Sequence, residues 1–362
     1  MIRRIVGFLI LSGMWISVLP VVAQDCASQD VEAWRTQANN DFDLGNYEEA
    51  AAGYSCMIEV SDEQDAFAYE WRGISKQLMG DLDGAFADVN QSIETDPSRG
   101  SPYYSRGNMY LDLDDYESAV DDFTMAIENG YNRAYVYNNR GYAYYYLGEK
   151  ANSKTDYLNA TWVDPEYGLA HSNLGEAYFD EGNLDKALEE YEKGIEYTDG
   201  IYRAYPRRNR GEISYMKQDF LTAIDDFTAA IEYNPDDGEL YLVRATAYRA
   251  IQSPNAYADY LRYVQNIQIE IVDLEGTTIN EPLDMVEGRV YRQTFNFEQS
   301  GGLLQVTAHS VEDGEVDTLI LVLGPSGSPV IGDDDSGTDE DAAIRYRIPE
   351  TGKYTVLVTH ST

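Results

Sequence analysis

The sequence predicts an α solenoid of helical hairpins followed by a small all-β sandwich domain, carried behind a leader for export. Three observations predict it. A glycine recurs at Gly73, Gly107, Gly141, Gly175 and Gly211, marking a unit of about 34 residues, the length of one stacked helix pair. From about Ile267 the helical period stops and short alternating stretches take over. The first residues place Arg3 and Arg4 ahead of an apolar run.

That run extends from Ile5 to Leu19 and is followed by Pro20 and the small-residue ending Val21-Val22-Ala23, so residues 1–23 read as a secretory signal peptide cleaved after Ala23. An uncleaved anchor is the alternative, because the run approaches the length of a short membrane helix. The expected destination is the periplasm or the cell exterior, with no membrane insertion after cleavage. Residues 24–30 form a short N-terminal segment. Cys26 and Cys56 are the two cysteines of the chain. In an oxidising compartment they read as one disulfide staple, which loop closure would make worth about 3–4 kcal/mol; two unrelated thiols is the other reading.

The repeat carries more than its glycine. A small residue follows twelve positions on at Ala85, Ala119, Ala187 and Ala223, with Ser153 in the remaining place, and an aromatic or apolar residue comes next at Val89, Phe123, Tyr157, Tyr191 and Phe227. Small residues let two helices approach closely, and the larger ones fill the gap beside them. Aromatic residues open the units at Trp34, Tyr69, Tyr103, Tyr137 and Tyr241, turns read Gly45-Asn46-Tyr47 or Gly182-Asn183-Leu184, and Pro97, Pro165 and Pro235 close them. These residues resemble the tetratricopeptide repeat over residues 31–266, with about seven repeats. The last, from Gly238 to Asn266, departs from the pattern at its shortened Ser253-Pro254 turn and reads as a degenerate closing repeat.

Where the family usually has leucine before the glycine, this chain has Arg72, Arg106, Arg140 and Arg210, and sixteen residues after each stands Asp88, Asp122, Asp156 and Asp226. The two positions vary together: Leu174 in place of the arginine goes with Glu190, and Arg244 goes with Asp259 once the shortened turn is allowed for. This predicts structural ion pairs linking the two helices of a hairpin, planar guanidinium to carboxylate. If partly exposed, each would contribute only about 0–1 kcal/mol.

The resemblance also implies a concave groove lined by the first helix of each pair. Transferred by repeat position, the peptide-binding residues would be Tyr104 and Asn108 with Leu111, then Tyr135, Asn138, Tyr142, Tyr145 and Tyr146, then Phe179 with Glu176, then Tyr205, Arg208 and Tyr215 with Glu212. Tyrosine offers a large apolar face with a polar tip at little entropic cost, as a peptide-binding surface requires. Packing between neighbouring repeats is the alternative role for these tyrosines. Asn139, Asn173 and Asn209 share one repeat position and resemble the asparagine ladder of O-linked N-acetylglucosamine transferases, although Asn-Arg-Gly is also a common wording of the repeat.

A formal net charge of -38 repels nucleic acid and anionic lipid and favours polar or cationic partners. With 43% hydrophobic residues and 31 tyrosines the chain still has ample material for a core.

In the C-terminal region, residues 267–362, alternating stretches at Arg289 to Phe297, Leu303 to His309, Thr318 to Leu323, Ala343 to Ile348 and Lys353 to Thr359 argue for an antiparallel β-sandwich. The wording Val316-Asp317-Thr318-Leu319, Gly332-Asp333-Asp334-Asp335-Ser336 and Thr351-Gly352-Lys353-Tyr354 resembles the bacterial pre-peptidase C-terminal domain, an accessory of exported proteins; members of that family run on into a final strand, so either an incomplete sandwich or a truncated sequence is expected here. Asp333, Asp334 and Asp335 with Asp339 and Asp341 are candidate ligands for calcium, a hard cation met outside the cell; solvated loop acids are the plain reading.

His171, His309 and His360 lie far apart and form no metal or triad pattern, and neither a phosphate-cradling glycine loop nor a Gly-x-Ser-x-Gly elbow is present. His171 takes a repeat position usually held by Trp or Tyr, where it would pack. The expectation is a non-enzymatic scaffold without a cofactor other than the candidate calcium, binding a protein or peptide. A β module that binds glycan or the cell surface, with the repeats as spacer, is the alternative.

Overall fold

The structure is a computed structural model that describes residues 26–28, 30–266, 270–273, 289–297, 303–307, 317–334, 343–347 and 352–361. The expected signal peptide, residues 1–23, lies outside the described residues. The chain divides into two compact units, Met1–Asn132 and Arg133–Thr362.

In the first unit six helices form three hairpins: α1 (Val31–Asp43) with α2 (Tyr47–Val60), α3 (Ala66–Leu78) with α4 (Leu82–Thr95), and α5 (Ser101–Asp112) with α6 (Tyr116–Glu128). Local chemistry sets their ends. The carboxylates of Asp30, Asp65, Asp81 and Asp115 each accept the backbone N–H three residues on, capping α1, α3, α4 and α6. Gly45 and Gly80 close the tight turns at φ 80° and 85°, a region costly for residues with a Cβ. Cys26 and Cys56 are joined in a disulfide with Cα atoms 4.9 Å apart, and Trp34 Nε1 donates to the Cys26 carbonyl at 2.9 Å. The N-terminal segment is thereby tied to the core of the first hairpin, built on Trp34, Ala38, Tyr54 and Met57.

The second unit holds α7 (Ala134–Tyr146) with α8 (Lys150–Val163), α9 (Gly168–Asp180) with α10 (Leu184–Tyr197), α11 (Ala204–Met216) with α12 (Phe220–Tyr233), and α13 (Gly238–Ala250) with α14 (Asn255–Asn266). Between α10 and α11 a 3-10 turn, Gly200–Arg203, absorbs the extra residues that lengthen this repeat. Asp164 and Asn234 cap the C-termini of α8 and α12, and the prolines that follow them, Pro165 and Pro235, cannot continue a helix.

The recurring glycine is a packing device. A Cβ at Gly107 would lie 2.7 Å from the Phe123 ring, and one at Gly211 would lie 2.6 Å from the Phe227 ring, so the aromatic of the second helix occupies the space a side chain would need.

Beyond α14 the described strands are β1 (Glu270–Asp273), β2 (Arg289–Phe297), β3 (Leu303–Thr307), β4 (Asp317–Leu323), β5 (Pro329–Asp334), β6 (Ala343–Arg347) and β7 (Gly352–Ser361). They form a five-stranded sheet in the order β1-β2-β7-β4-β5 and a two-stranded pair β3-β6. Two strands were not expected, β1 and β5. β1 runs parallel to β2, which corrects the wholly antiparallel expectation. β5 also takes up Asp333 and Asp334, paired with Ile320 and Leu319 of β4, where the acidic run was expected to form a loop. Leu323 and Leu357 of this sheet pack against Tyr260 and Tyr263 of α14, so the closing hairpin buries its apolar flank on the strands.

Candidate functional site

The first helices present two chemistries, and the buried one recurs in five of the seven hairpins. Arg72 donates from Nε and Nη2 to both oxygens of Asp88, and the same two-pronged pairing recurs at Arg106–Asp122, Arg140–Asp156, Arg210–Asp226 and Arg244–Asp259 with N···O distances of 2.5–2.9 Å. The Asp side chains keep only 2–7% of their surface exposed, while the arginine side chains keep 15–25%. The remaining guanidinium arm reaches back to the preceding hairpin: Arg72 to Ser55 Oγ at 3.2 Å, Arg106 to Asn90 Oδ1 at 2.6 Å, and Arg244 to Thr228 Oγ1 at 3.1 Å. One arginine therefore ties three helices. Its role is architectural.

The other chemistry is concentrated in the second unit, where a hollow of about 600 Å³ opens between first helices. α7 contributes Tyr142, Tyr145 and Tyr146; α9 contributes Leu169, Ser172, Asn173 and Glu176; α11 contributes Ala204, Tyr205 and Arg208. Ile201 and Tyr202 of the 3-10 turn, Tyr157 of α8, and Asn234, Asp237 and Leu240 at the entry to α13 complete it. The α7 rings form a cluster, Tyr142 against Tyr146 at 4.8 Å and Tyr145 edge-on to Tyr146 at 5.5 Å between centroids.

Glu176 is the polar centre of the wall. Its Oε2 accepts from Tyr205 Oη at 2.9 Å, Asn209 Nδ2 at 3.0 Å and Tyr191 Oη at 3.1 Å. Burial, then the Glu176 carboxylate, pushes both phenols well above the usual tyrosine range. Tyr205 reconciles this with 41% residual exposure by turning its hydroxyl inward while leaving ring surface open. Burial, followed by Asp180 and Glu176, also raises the Tyr145 phenol. Arg208 is engaged by Glu212 at 2.9 Å.

Of the residues expected to line the groove, Tyr142, Tyr145, Tyr146, Asn173, Glu176, Tyr205 and Arg208 meet in this hollow. The others lie elsewhere. Tyr104 packs its ring against Phe123 and Tyr131 in the first unit, on the same helix as Asn108. Tyr135 lies on α7 but outside the lining. Phe179 packs on the core around Tyr157 and Tyr191, and Tyr215 packs beside Ala223 and Phe227. The asparagines are bonded within the protein: Asn173 Nδ2 donates to Asn138 Oδ1 at 2.9 Å, Asn138 Nδ2 to Asn139 Oδ1 at 3.2 Å, and Asn209 to Glu176. Each of these asparagines thus makes at least one hydrogen bond within the fold. Sequence reasoning missed Ile201, Tyr202, Asn234 and Asp237, which sit in the insertion and in the interhelical connection. The only available signal was the two-residue lengthening between Gly175 and Gly211.

Asp333 and Asp334 end β5, whereas Asp335, Asp339 and Asp341 lie outside the described residues. Among the described residues no cluster of three or more His, Cys, Asp or Glu is arranged to hold a metal, and no helix is long and apolar enough to cross a membrane.

Tetratricopeptide repeat models match residues 101–129 and 134–167, and another matches residues 168–200. The chain therefore contains tetratricopeptide repeats, and the matched segments fall on the hairpins α5–α6, α7–α8 and α9–α10. Among solved structures, the Pseudomonas aeruginosa pilF protein is 17% identical with a TM-score of 0.50, the match covering 56% of this chain and 96% of that one. The Cut9 and Hcn1 hetero-tetramer structure of APC/C is 13% identical with a TM-score of 0.50 over 68% of this chain and 54% of the other. YrrB, described as a TPR protein with an unusual peptide-binding site, is 24% identical with a TM-score of 0.45 over 55% of this chain and all of its own. The first two likenesses concern the helical fold. No curated protein of similar sequence was found.

Proposed function

We propose that this chain is an exported, non-enzymatic scaffold that binds a peptide or an extended protein segment in the hollow between α7, α9 and α11. The observation that carries the reading is the exposed tyrosine cluster, Tyr142, Tyr145, Tyr146, Tyr202 and Tyr205, gathered around one open cavity rather than packed between repeats. Aromatic rings held on helices present large contact area at little entropic cost on binding. Export is supported by the leader pattern of residues 1–23 and by the Cys26–Cys56 disulfide, which an oxidising compartment would preserve. The strands after α14 serve in this reading as an accessory β-sandwich resembling the pre-peptidase C-terminal domain, with calcium a candidate ligand of its acidic run.

Affinity capture from native secreted protein, wild type against Tyr142→Ala plus Tyr145→Ala, tests the hollow. The double variant should lose the captured partner while retaining wild-type circular dichroism, because both rings are more than a third exposed. Equal capture by both proteins would refute the assignment of the binding site.

A further inference from the structure

The hollow has a chemical bias that a general peptide groove would not need. Two carboxylates, Glu176 and Asp237, stand in its lining, and Arg208, the cation among its described lining residues, is already paired with Glu212. The three groups that donate to Glu176 all converge on Oε2, and among the described residues none donates to Oε1. Five tyrosines share the lining with this acid: Tyr142, Tyr145 and Tyr146 on α7, Tyr205 on α11, and Tyr202 on the inserted 3-10 turn. Aromatic faces and a carboxylate are together the surroundings that stabilise a desolvated ammonium or guanidinium. An anion or a plain aliphatic chain would gain nothing from the carboxylate.

The insertion strengthens the case. Regular repeats pass from second helix to first helix without it, whereas here Gly200–Arg203 adds Ile201 and Tyr202, exposed 54% and 62%, at the mouth. The departure from the repeat period thus builds part of the wall. Over longer distances the 64 acidic against 26 basic residues of the chain would steer a basic segment toward it and slow an acidic one.

We propose that the hollow is a basic-side-chain pocket: it seats a lysine or arginine side chain of the partner polypeptide, its charge against Glu176 and its stem against the tyrosine faces. This deepens the peptide-binding reading and rests on it.

The test is fluorescence anisotropy on the full chain with labelled nine-residue Gly/Ser peptides whose two central residues are Lys-Lys, Arg-Arg, acetyl-lysine pairs, Leu-Leu or Glu-Glu. The Lys-Lys or Arg-Arg peptide should bind best and weaken as salt is raised, and acetylation should weaken binding by about tenfold. Glu176→Gln keeps an acceptor for its three donors and should weaken the basic peptide by about tenfold while leaving the Leu-Leu peptide unchanged. Tyr202→Ala, at a ring 62% exposed, should weaken it by about three- to tenfold. Preference for Leu-Leu or Glu-Glu that Tyr142→Ala plus Tyr145→Ala abolishes would overturn the basic pocket and leave the groove standing. Free lysine amide binding as tightly as the peptide would overturn the polypeptide assignment. Binding of none of the peptides would bring down both readings.

Discussion

The hairpins α5–α6 and α9–α10 solve the same problem with different residues. In α5–α6, Tyr103 donates to the Pro97 carbonyl at 3.3 Å, Arg106 lies over the Tyr103 ring, and Arg106 grips Asp122. In α9–α10 the three positions hold His171, Leu174 and Glu190. His171 bonds the Pro165 carbonyl through Nε2 at 2.9 Å and Glu190 Oε2 through Nδ1 at 2.6 Å, and Leu174 joins the apolar core. One imidazole covers the contacts that a tyrosine and an arginine share elsewhere, and glutamate supplies the extra length needed to reach it. The link between helices is therefore kept as a connection to a carboxylate on the second helix, not as particular residues.

The most damaging way to break the α5–α6 link is Arg106→Ala. It leaves Asp122, its side chain 6% exposed, without its guanidinium and also releases Asn90, at an expected cost of about 3–5 kcal/mol in urea unfolding. Arg106→Lys should fall between, since an ammonium keeps the charge but not the planar two-pronged grip. A loss under about 1 kcal/mol would mean that the pair is no more than an exposed ion pair.

A smaller effect is expected from converting one hairpin into the other. Leu174→Arg alone puts a guanidinium where a 2% exposed leucine packs, and should cost about 2 kcal/mol or more. His171→Tyr, Leu174→Arg and Glu190→Asp together should recover all but about 1 kcal/mol, because residues in one network are not additive. Costs that simply add in the triple variant would show that the two arrangements are not interchangeable.

Much of this was legible because the sequence compares itself with itself. The glycine column, the aromatic facing it and the Arg–Asp pairs recur at fixed spacing, so the pairing could be inferred from positions that change together, including Arg244 with Asp259. The third guanidinium arm was not legible, since its partners Ser55, Asn90 and Thr228 share only the ability to accept a hydrogen bond. At the hollow the tyrosines of α7 follow from repeat position, but Phe179 and Tyr215 do not, because an aromatic at the same position can turn into the core. Ile201, Tyr202 and Asp237 escape any periodic argument, lying in an insertion and a helix cap. β5 was hidden by its flanks: Gly324-Pro325-Ser326-Gly327-Ser328-Pro329 and the acidic run both read as turns, yet Ile331 pairs with Val322 and Pro329 with Leu323 of β4 across a register shift.

The smallest expected difference between the two hairpins is one of sign. Burial would raise the Glu190 carboxyl, but hydrogen bonds from His171 and Lys193 outweigh it and hold the group below its ordinary 4.5. Asp122 goes the other way, since burial lifts it further than Arg106 pulls it down. A carboxyl depressed in the fold contributes stability above its unfolded value and loses that contribution as pH falls through the folded one. A raised carboxyl binds its proton more readily folded than unfolded, so acid favours the fold at that group. Referenced to Glu190→Gln, wild-type stability should hold steady down to about pH 5 and then shrink toward pH 3; referenced to Asp122→Asn, it should grow over the same acid range. Urea unfolding of the three proteins across that range measures both differences, and movement of both in one direction would show that the two carboxylates do not sit in opposed electrostatic surroundings.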